Sequence, residues 1–192
     1  MTKLPDYVVL NDETCEKRDI LTKPSQTLTF PLRQEDLEDI KILEAKYDQE
    51  DNCAGLAAPQ IGIHKRIIVF AVEGSEELKK WRRDLSDTMD KTIWINPSFE
   101  PIGVEMNTDY EGCFSVDDMV GEVPRYKTIR YEAFTPQGEK IEGIAHGFLA
   151  RLIQHEVDHT MGYCFVHRTE KSNVMTRGEY HALRERVMKE RE

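Results

Sequence analysis

Residues Leu152–Gly162 read LIQHEVDHTMG. His155 and His159 are four apart, so on an α-helix they share one face, with Cβ atoms about 5–6 Å apart, close enough to hold one metal ion between them. Glu156 follows the first histidine and leans toward the same place. A carboxylate there can take a proton from water whose pKa a metal has lowered. Upstream, Phe148, Leu149, Leu152, Ile153 and Val157 continue an apolar stripe of helical period. Gly162 is well placed to end that helix.

A catalytic metal of this type usually takes three protein ligands and keeps one position open. His146, His167 and Glu170 have suitable donor atoms, but none repeats the zinc-peptidase spacing H-E-x-x-H-x-x-G-x-x-H. Cys113, in YEGCFSV ahead of a turn signal, is the other candidate. A thiolate is a soft, strong donor for iron(II), zinc, cobalt or nickel.

The composition limits the function classes. Lys plus Arg number 26 and Asp plus Glu 36, a net charge of −10 that repels phosphate backbones, so direct nucleic-acid binding is not expected. No apolar run has the length of a membrane span, and the first nineteen residues lack an apolar signal-peptide core. The expectation is a cytoplasmic protein without membrane attachment, in which the four widely spaced cysteines are reduced thiols. Its 192 residues suit one domain, 1–192, able to bury a core without disulfides.

The rest of the chain gives the fold class. Residues 1–30 read as irregular. In QEDLEDIKILEAKYDQE, Leu37, Ile40, Leu43 and Tyr47 mark an amphipathic helix with an acidic first turn. RIIVFAV, Arg66–Val72, reads as a buried strand, and Glu73–Lys91 as a charged surface insertion with at most a helical turn. TIWINPSF reads as a strand closed by Pro97, and EVPRYKTIRYEAF as one strand half-buried through Ile129, Tyr131 and Ala133. Gln137-Gly138 signals a turn from which EKIEGIAHG returns as a hairpin partner. YCFV reads as a short strand, and RGEYHALRERVMKERE as a charged C-terminal helix. The class is α+β, with antiparallel sheets expected around the helix that carries the histidines.

Three segments, in order, resemble the signature motifs of peptide deformylases: CAGLAAPQ for G-x-G-L-A-A-x-Q, EGCFS for E-G-C-x-S, and QHEVDH for H-E-x-D-H. The motif-bearing part runs from about Asn52 to Gly162. The resemblance implies that Cys113 is the third ligand beside His155 and His159. It implies one divalent ion, Fe2+ in the family, with Zn2+, Ni2+ or Co2+ able to substitute. Water activated at that ion would attack the formyl group of N-formylmethionyl nascent peptides, releasing formate, with Glu156 as the proton carrier. Gln60, through its side-chain amide, and Phe114, through its backbone N–H, would stabilise the charge on the formyl oxygen.

Gly55 and Gly112 would let the substrate backbone approach, and Glu111 would help fix the pocket. Ala54, Phe148, Arg151 and Leu152 fall where the family places the methionine pocket, with Arg151 contributing its methylene stem rather than its charge. Asp158 and Arg125 read as structural. Transient ribosome association is a further expectation for a deformylase. The chain departs from the pattern in four places, one of them Thr160, which replaces the commoner leucine after the last histidine. Cys53 stands where the first motif has glycine, and that position is expected to tolerate a side chain. Phe114 replaces the commoner leucine. Asp117-Asp118 follow the second motif, where they are expected to disfavour anionic peptide ends. A zinc peptidase shares H-E-x-x-H, and a binding protein without turnover could keep all three motifs. The Cys113 motif argues against the first, and Glu156 with Gln60 against the second.

Overall fold

The period-two segments form two antiparallel sheets, with the histidine-bearing helix held against both. The computed structural model describes residues 3–51 and 53–189. Asn52, where the motif-bearing part begins, and 190–192, at the end of the expected C-terminal helix, lie outside them.

The elements run α1 (Gln34–Gln49), β1 (Gly55–Ala57), β2 (Ile67–Val72), α2 (Glu76–Trp81), β3 (Met89–Pro101), β4 (Met106–Glu111), β5 (Met119–Tyr126), β6 (Thr128–Phe134), β7 (Lys140–His146), α3 (Gly147–Thr160), β8 (Val174–Thr176) and α4 (Arg177–Lys189). One sheet has five strands in the order β1-β2-β3-β6-β7, and the other has three in the order β4-β5-β8. All named pairings are antiparallel.

Helix α3 is buried along almost its whole length, from Phe148 to Thr160. Its stripe packs with Phe70, Trp94, Ile129, Tyr131 and Ala145 of the larger sheet. Trp94 lies at the centre, its ring 4.7 Å from those of both Phe70 and Tyr131. Each large apolar side chain buried here contributes roughly 1.5–3 kcal/mol. The helix ends on Gly162 at φ 83°. Tyr163 N–H donates to Asp158 O at 2.9 Å and Gly162 N–H to His159 O at 3.3 Å, the paired bonds of a Schellman stop. A Cβ on Gly162 would lie 2.6 Å from Lys23 N, so only glycine fits.

Four expectations from the sequence need correction. Pro97 does not close its strand: β3 continues to Pro101, and the register shifts between Ile95 and Ser98, with Asn96 at φ 51°. The missing N–H of proline is accommodated in this bulge, where the ladder is already interrupted. EVPRYKTIRYEAF is not one strand. It divides at Lys127 into β5 and β6, which belong to different sheets. YCFV is no strand, since Phe165–His167 form a 3-10 turn. The insertion is more than a solvated loop. It contains α2 and the first residues of β3, and Leu78, Leu85 and Met89 pack against the core.

At the start of α1, Asp36 is 1% exposed and accepts from Arg33 N–H at 3.0 Å. Arg33 Nε and Lys65 Nζ lie 3.0 and 2.7 Å from the same carboxylate. The Arg33 hydrogen bonds, with help from Lys65, hold this carboxyl well below the usual carboxylate range despite its burial. A depressed folded-state pKa gives stability that is present above about pH 4 and is lost as the pH falls. Asp36→Asn is expected to lower stability by about 1–3 kcal/mol at pH 7, the usual size for bonds to a charged group, and by less at pH 3. Urea unfolding at the two pH values checks this. An equal loss at both would assign the effect to packing alone.

Candidate metal and catalytic site

Three segments meet at the buried face of α3. The first is the turn from β1 through the short 3-10 segment Ala58–Ile61. The second is the end of β4 with the turn after it, where Val116 N–H donates to Cys113 O at 3.3 Å. The third is α3 itself. They line a cleft of about 340 Å³ that includes Ala54, Gly55, Gln60, Glu111, Gly112, Cys113, Phe114, Phe148, Arg151, Leu152, His155 and Glu156. Of the sequence-predicted site residues, only His159 is absent from its lining, because it sits one helical turn deeper at 1% exposure.

Cys113, His155 and His159 offer donor atoms within 4.8 Å of one another, all from buried residues. The two histidine Nε2 atoms converge to 3.1 Å. The Nδ1 of His155 lies 2.9 Å from Glu111 Oε2, which turns its Nε2 toward the cluster. Burial pulls the His155 pKa down, but the Cys113 hydrogen bond and the Glu111 carboxylate outweigh it and raise the pKa to about 9. Hydrogen bonding to Cys164, then burial, pushes the Cys113 thiol up. Neutral imidazoles and a thiolate are the forms that bind metal, so an ion here displaces protons. The donor set suits one divalent cation: two converging imidazoles, a cleft-side sulfur and a carboxylate behind one ring. His146, His167 and Glu170 are not in this group. His146 pairs with Asp87, and His167 accepts from Cys164 N–H.

Glu156 is 2% exposed, and its Oε2 has no hydrogen-bond partner among the described residues. Burial raises its pKa, against the pull of the two histidines. A Cβ at Gly55 would lie 2.5 Å from Glu156 Oε1, so glycine is required there for the carboxylate to fit. Gln60 is 1% exposed, and its Oε1 accepts from Ala57 N–H at 2.9 Å, which directs the amide NH2 away from that bond. Phe114 stacks its ring on Tyr7 at 4.5 Å.

A buried ion-pair network braces the site. Arg125 forms a two-pronged contact with Glu111, at 3.0 and 2.9 Å, and reaches Asp158 with its other nitrogen. Arg168 also binds Asp158, at 2.6 and 3.0 Å. Burial would raise the Glu111 pKa, but His155 and Arg125 hold it well below the carboxylate range. The expectation for Arg151 is corrected here. Its guanidinium is buried and bonds Glu111 Oε1 at 2.7 Å, Val123 O at 2.9 Å and Asn107 O at 2.6 Å, so its charge is engaged inside the protein. A buried guanidinium has to be paired and hydrogen-bonded. Cys53 lines the cleft, and burial pushes its thiol pKa up to about 12. Asp117 and Asp118 do not line the cleft.

The sequence reading missed three cleft residues, Asp51, Arg82 and Arg177, which come from outside the motifs and carry no local pattern. It also gave Cys164 no role, although its sulfur lies 3.9 Å from His159 Nδ1.

Residues 12–174 match the family model described as polypeptide deformylase. The chain belongs to the polypeptide deformylase family. It is 56% identical over 190 residues to peptide deformylase 2 of Rickettsia conorii, covering 97% of this chain and 94% of that protein. It is 45% identical over 114 residues to peptide deformylase 2 of Pseudomonas syringae pv. tomato, covering 59% and 61% of the two chains. Among solved structures, the deformylase fold is matched by the class I type b peptide deformylase of Acinetobacter baumannii bound to Met-Ala-Ser. The TM-score is 0.73 at 29% identity, over 88% of this chain and all of that one. A peptide deformylase from Synechococcus elongatus in complex with actinonin matches with a TM-score of 0.68 at 28% identity, over 89% and 84%. Deformylases remove N-terminal formyl groups from nascent peptides in a metal-dependent reaction. Among the described residues, no helix is long and apolar enough to cross a membrane.

Proposed function

We propose that this chain deformylates N-formylmethionyl nascent peptides at one divalent ion held by Cys113, His155 and His159. The observation that carries this reading is Glu156, whose Oε2 has no partner among the described residues and which is buried beside the converging Cys-His-His group in a cleft open to a peptide. When bound, the ion would supply Lewis acidity toward water and the formyl oxygen. Iron(II) is our reading of the native metal, with zinc, nickel or cobalt as substitutes.

The chain's own residues do the rest. Glu156 accepts a proton from the attacking water and delivers it to the amine that leaves. Its burial favours this exchange, because a carboxylate deprived of water holds a proton more readily. The Gln60 amide NH2 and the Phe114 N–H donate to the oxygen on which negative charge develops. Glu111 fixes the His155 ring through Nδ1, and Arg125 with Arg151 fixes Glu111. Ala54, Phe148 and Leu152 give the methionine side chain an apolar wall, and Gly55 with Gly112 leaves room for the peptide backbone. Residues 1–192 act as one catalytic domain in the cytoplasm, a reading supported by the family match over 12–174. Transient ribosome contact belongs to the same proposal.

Cys113→Ser tests the ligand set. Replacing the soft sulfur by a neutral hydroxyl is expected to take the chain from about one bound metal to well under a tenth after dialysis, measured by elemental analysis. In the parent chain, metal affinity is expected to fall steadily on acidification, since protons compete for both histidines and the thiolate. Unchanged occupancy in Cys113→Ser, or constant affinity down to pH 4, would contradict this set.

A further inference from the structure

The segment between α2 and β3 is fastened onto the start of α3. Phe148 N–H donates to Asp84 O at 3.0 Å, and His146 N–H donates to Asp87 Oδ2 at 2.8 Å. Gly147, at φ 54°, permits this approach, since a Cβ there would meet Asp84 O at 1.8 Å. Arg82 lies at the head of the strap. Its N–H closes α2 by donating to Leu78 O at 2.8 Å. Its side chain extends into the cleft lining, where the guanidinium lies 4.7 Å from the Phe148 ring centre. Across the strap from the cleft, Nη1 binds Asp109 Oδ2 at 2.6 Å and Nη2 lies 3.3 Å from Tyr110 O. Thus β4 holds the guanidinium against Phe148 by a charge-assisted bond and a cation–π contact. A planar cation fixed at both ends serves as a rigid wall, and its stem adds apolar surface.

We propose that Arg82 is a specificity-determining residue that forms the outer wall of the pocket for the substrate's first side chain, with Asp109 as the group that positions it. The proposal rests on the reading of Ala54, Phe148 and Leu152 as the methionine pocket. It gives the charged insertion a function: the strap sets how far an apolar side chain extends past Phe148. A slender thioether chain fits beneath the guanidinium, whereas a phenyl ring has to displace it from Phe148 and from Asp109. Arg82→Ala removes the wall. Asp109→Ala leaves the wall in place and frees it to swing, without altering any residue of the cleft.

The test compares formyl-Met-Ala-Ser with formyl-Phe-Ala-Ser as substrates of the metal-loaded full chain, the parent and both variants, reading kcat/KM, metal content and melting temperature. The ratio of the Phe to the Met substrate is expected to rise about tenfold in Arg82→Ala, the low end of what a change of pocket contacts gives. It should rise in the same direction, by less, in Asp109→Ala. An unchanged ratio in a folded, metal-loaded Arg82→Ala overturns the proposal, as does an equal loss on both substrates. If Arg82→Ala does not fold, Asp109→Ala decides by the same ratio. A parent chain that releases formate from neither peptide overturns the deformylase reading beneath, and the proposal with it.

Discussion

Glu156→Ala, loaded to the same metal content as the parent, is expected to lose about 10²–10⁴-fold in kcat, the usual contribution of one positioned proton carrier. The expectation comes from placement. The residue is only 2% exposed, its Oε2 is unpartnered among the described residues, and it stands one residue from a metal-ligand candidate. A buried acceptor without a partner costs free energy, and a fold keeps such a group where a reaction uses it. Because the role is exercised as the proton moves, kcat and kcat/KM should fall together, with little change in KM. Glu156→Gln should fall equally, since it preserves the shape and removes the basicity. A variant within threefold of the parent, at equal metal content, would assign the proton transfer to another group. Stability should rise slightly or stay level in Glu156→Gln, because an amide is less costly to bury than a carboxylate.

Arg125→Met is expected to destabilise the chain by about 3–5 kcal/mol, the cost of removing one partner from a buried ion pair. Arg125 links Glu111, behind His155, to Asp158, on the helix between the two histidines. Its removal leaves Glu111 with Arg151 and Asp158 with Arg168, and it cuts the connection between the two halves of the network. The loss should therefore appear in urea unfolding and also in metal retention. Arg125→Lys keeps the charge but cannot form the fork on Glu111, so it should fall between the parent and Arg125→Met. A loss below about 1 kcal/mol would mean that Arg151 and Arg168 alone satisfy both carboxylates.

Much of the architecture was legible where one period held over enough residues. The stripe from Phe148 to Val157 became α3, the Leu37–Tyr47 spacing became α1, and the alternation around Ile129–Ala133 became β6 with its hairpin partner β7. The strand β4 was missed because MNTDYE is polar and mostly half-exposed, so it alternates weakly. The division at Lys127 was invisible because both flanking segments favour strands, and only tertiary pairing decides which sheet each joins. Pro97 misled because a bulge accommodates it, and a bulge is a property of two strands rather than of one.

The site divides along the same line. His155, Glu156 and His159 could be named from helical spacing, whereas Cys113, Gln60 and Phe114 were named only through the resemblance of the three motifs, because no local spacing brings them to the helix. The structure brings Cys113 to His155 and His159, and Gly55 to Glu156. Arg82 could not be found this way, because it reaches the cleft through a strap whose composition reads as solvated surface. The charge of Arg151 was misjudged for a related reason: its partners, Glu111, Val123 O and Asn107 O, lie on strands remote in sequence.

A deformylase cleft removes a formyl group and leaves the peptide bonds whole. Incubating the anaerobically purified, metal-loaded chain with formyl-Met-Ala-Ser, and measuring formate and peptide products together, tests this claim. The expected result is one formate per peptide consumed, with Met-Ala-Ser accumulating intact. Cleavage at Met-Ala without formate, or no formate at full metal occupancy, would contradict the claim.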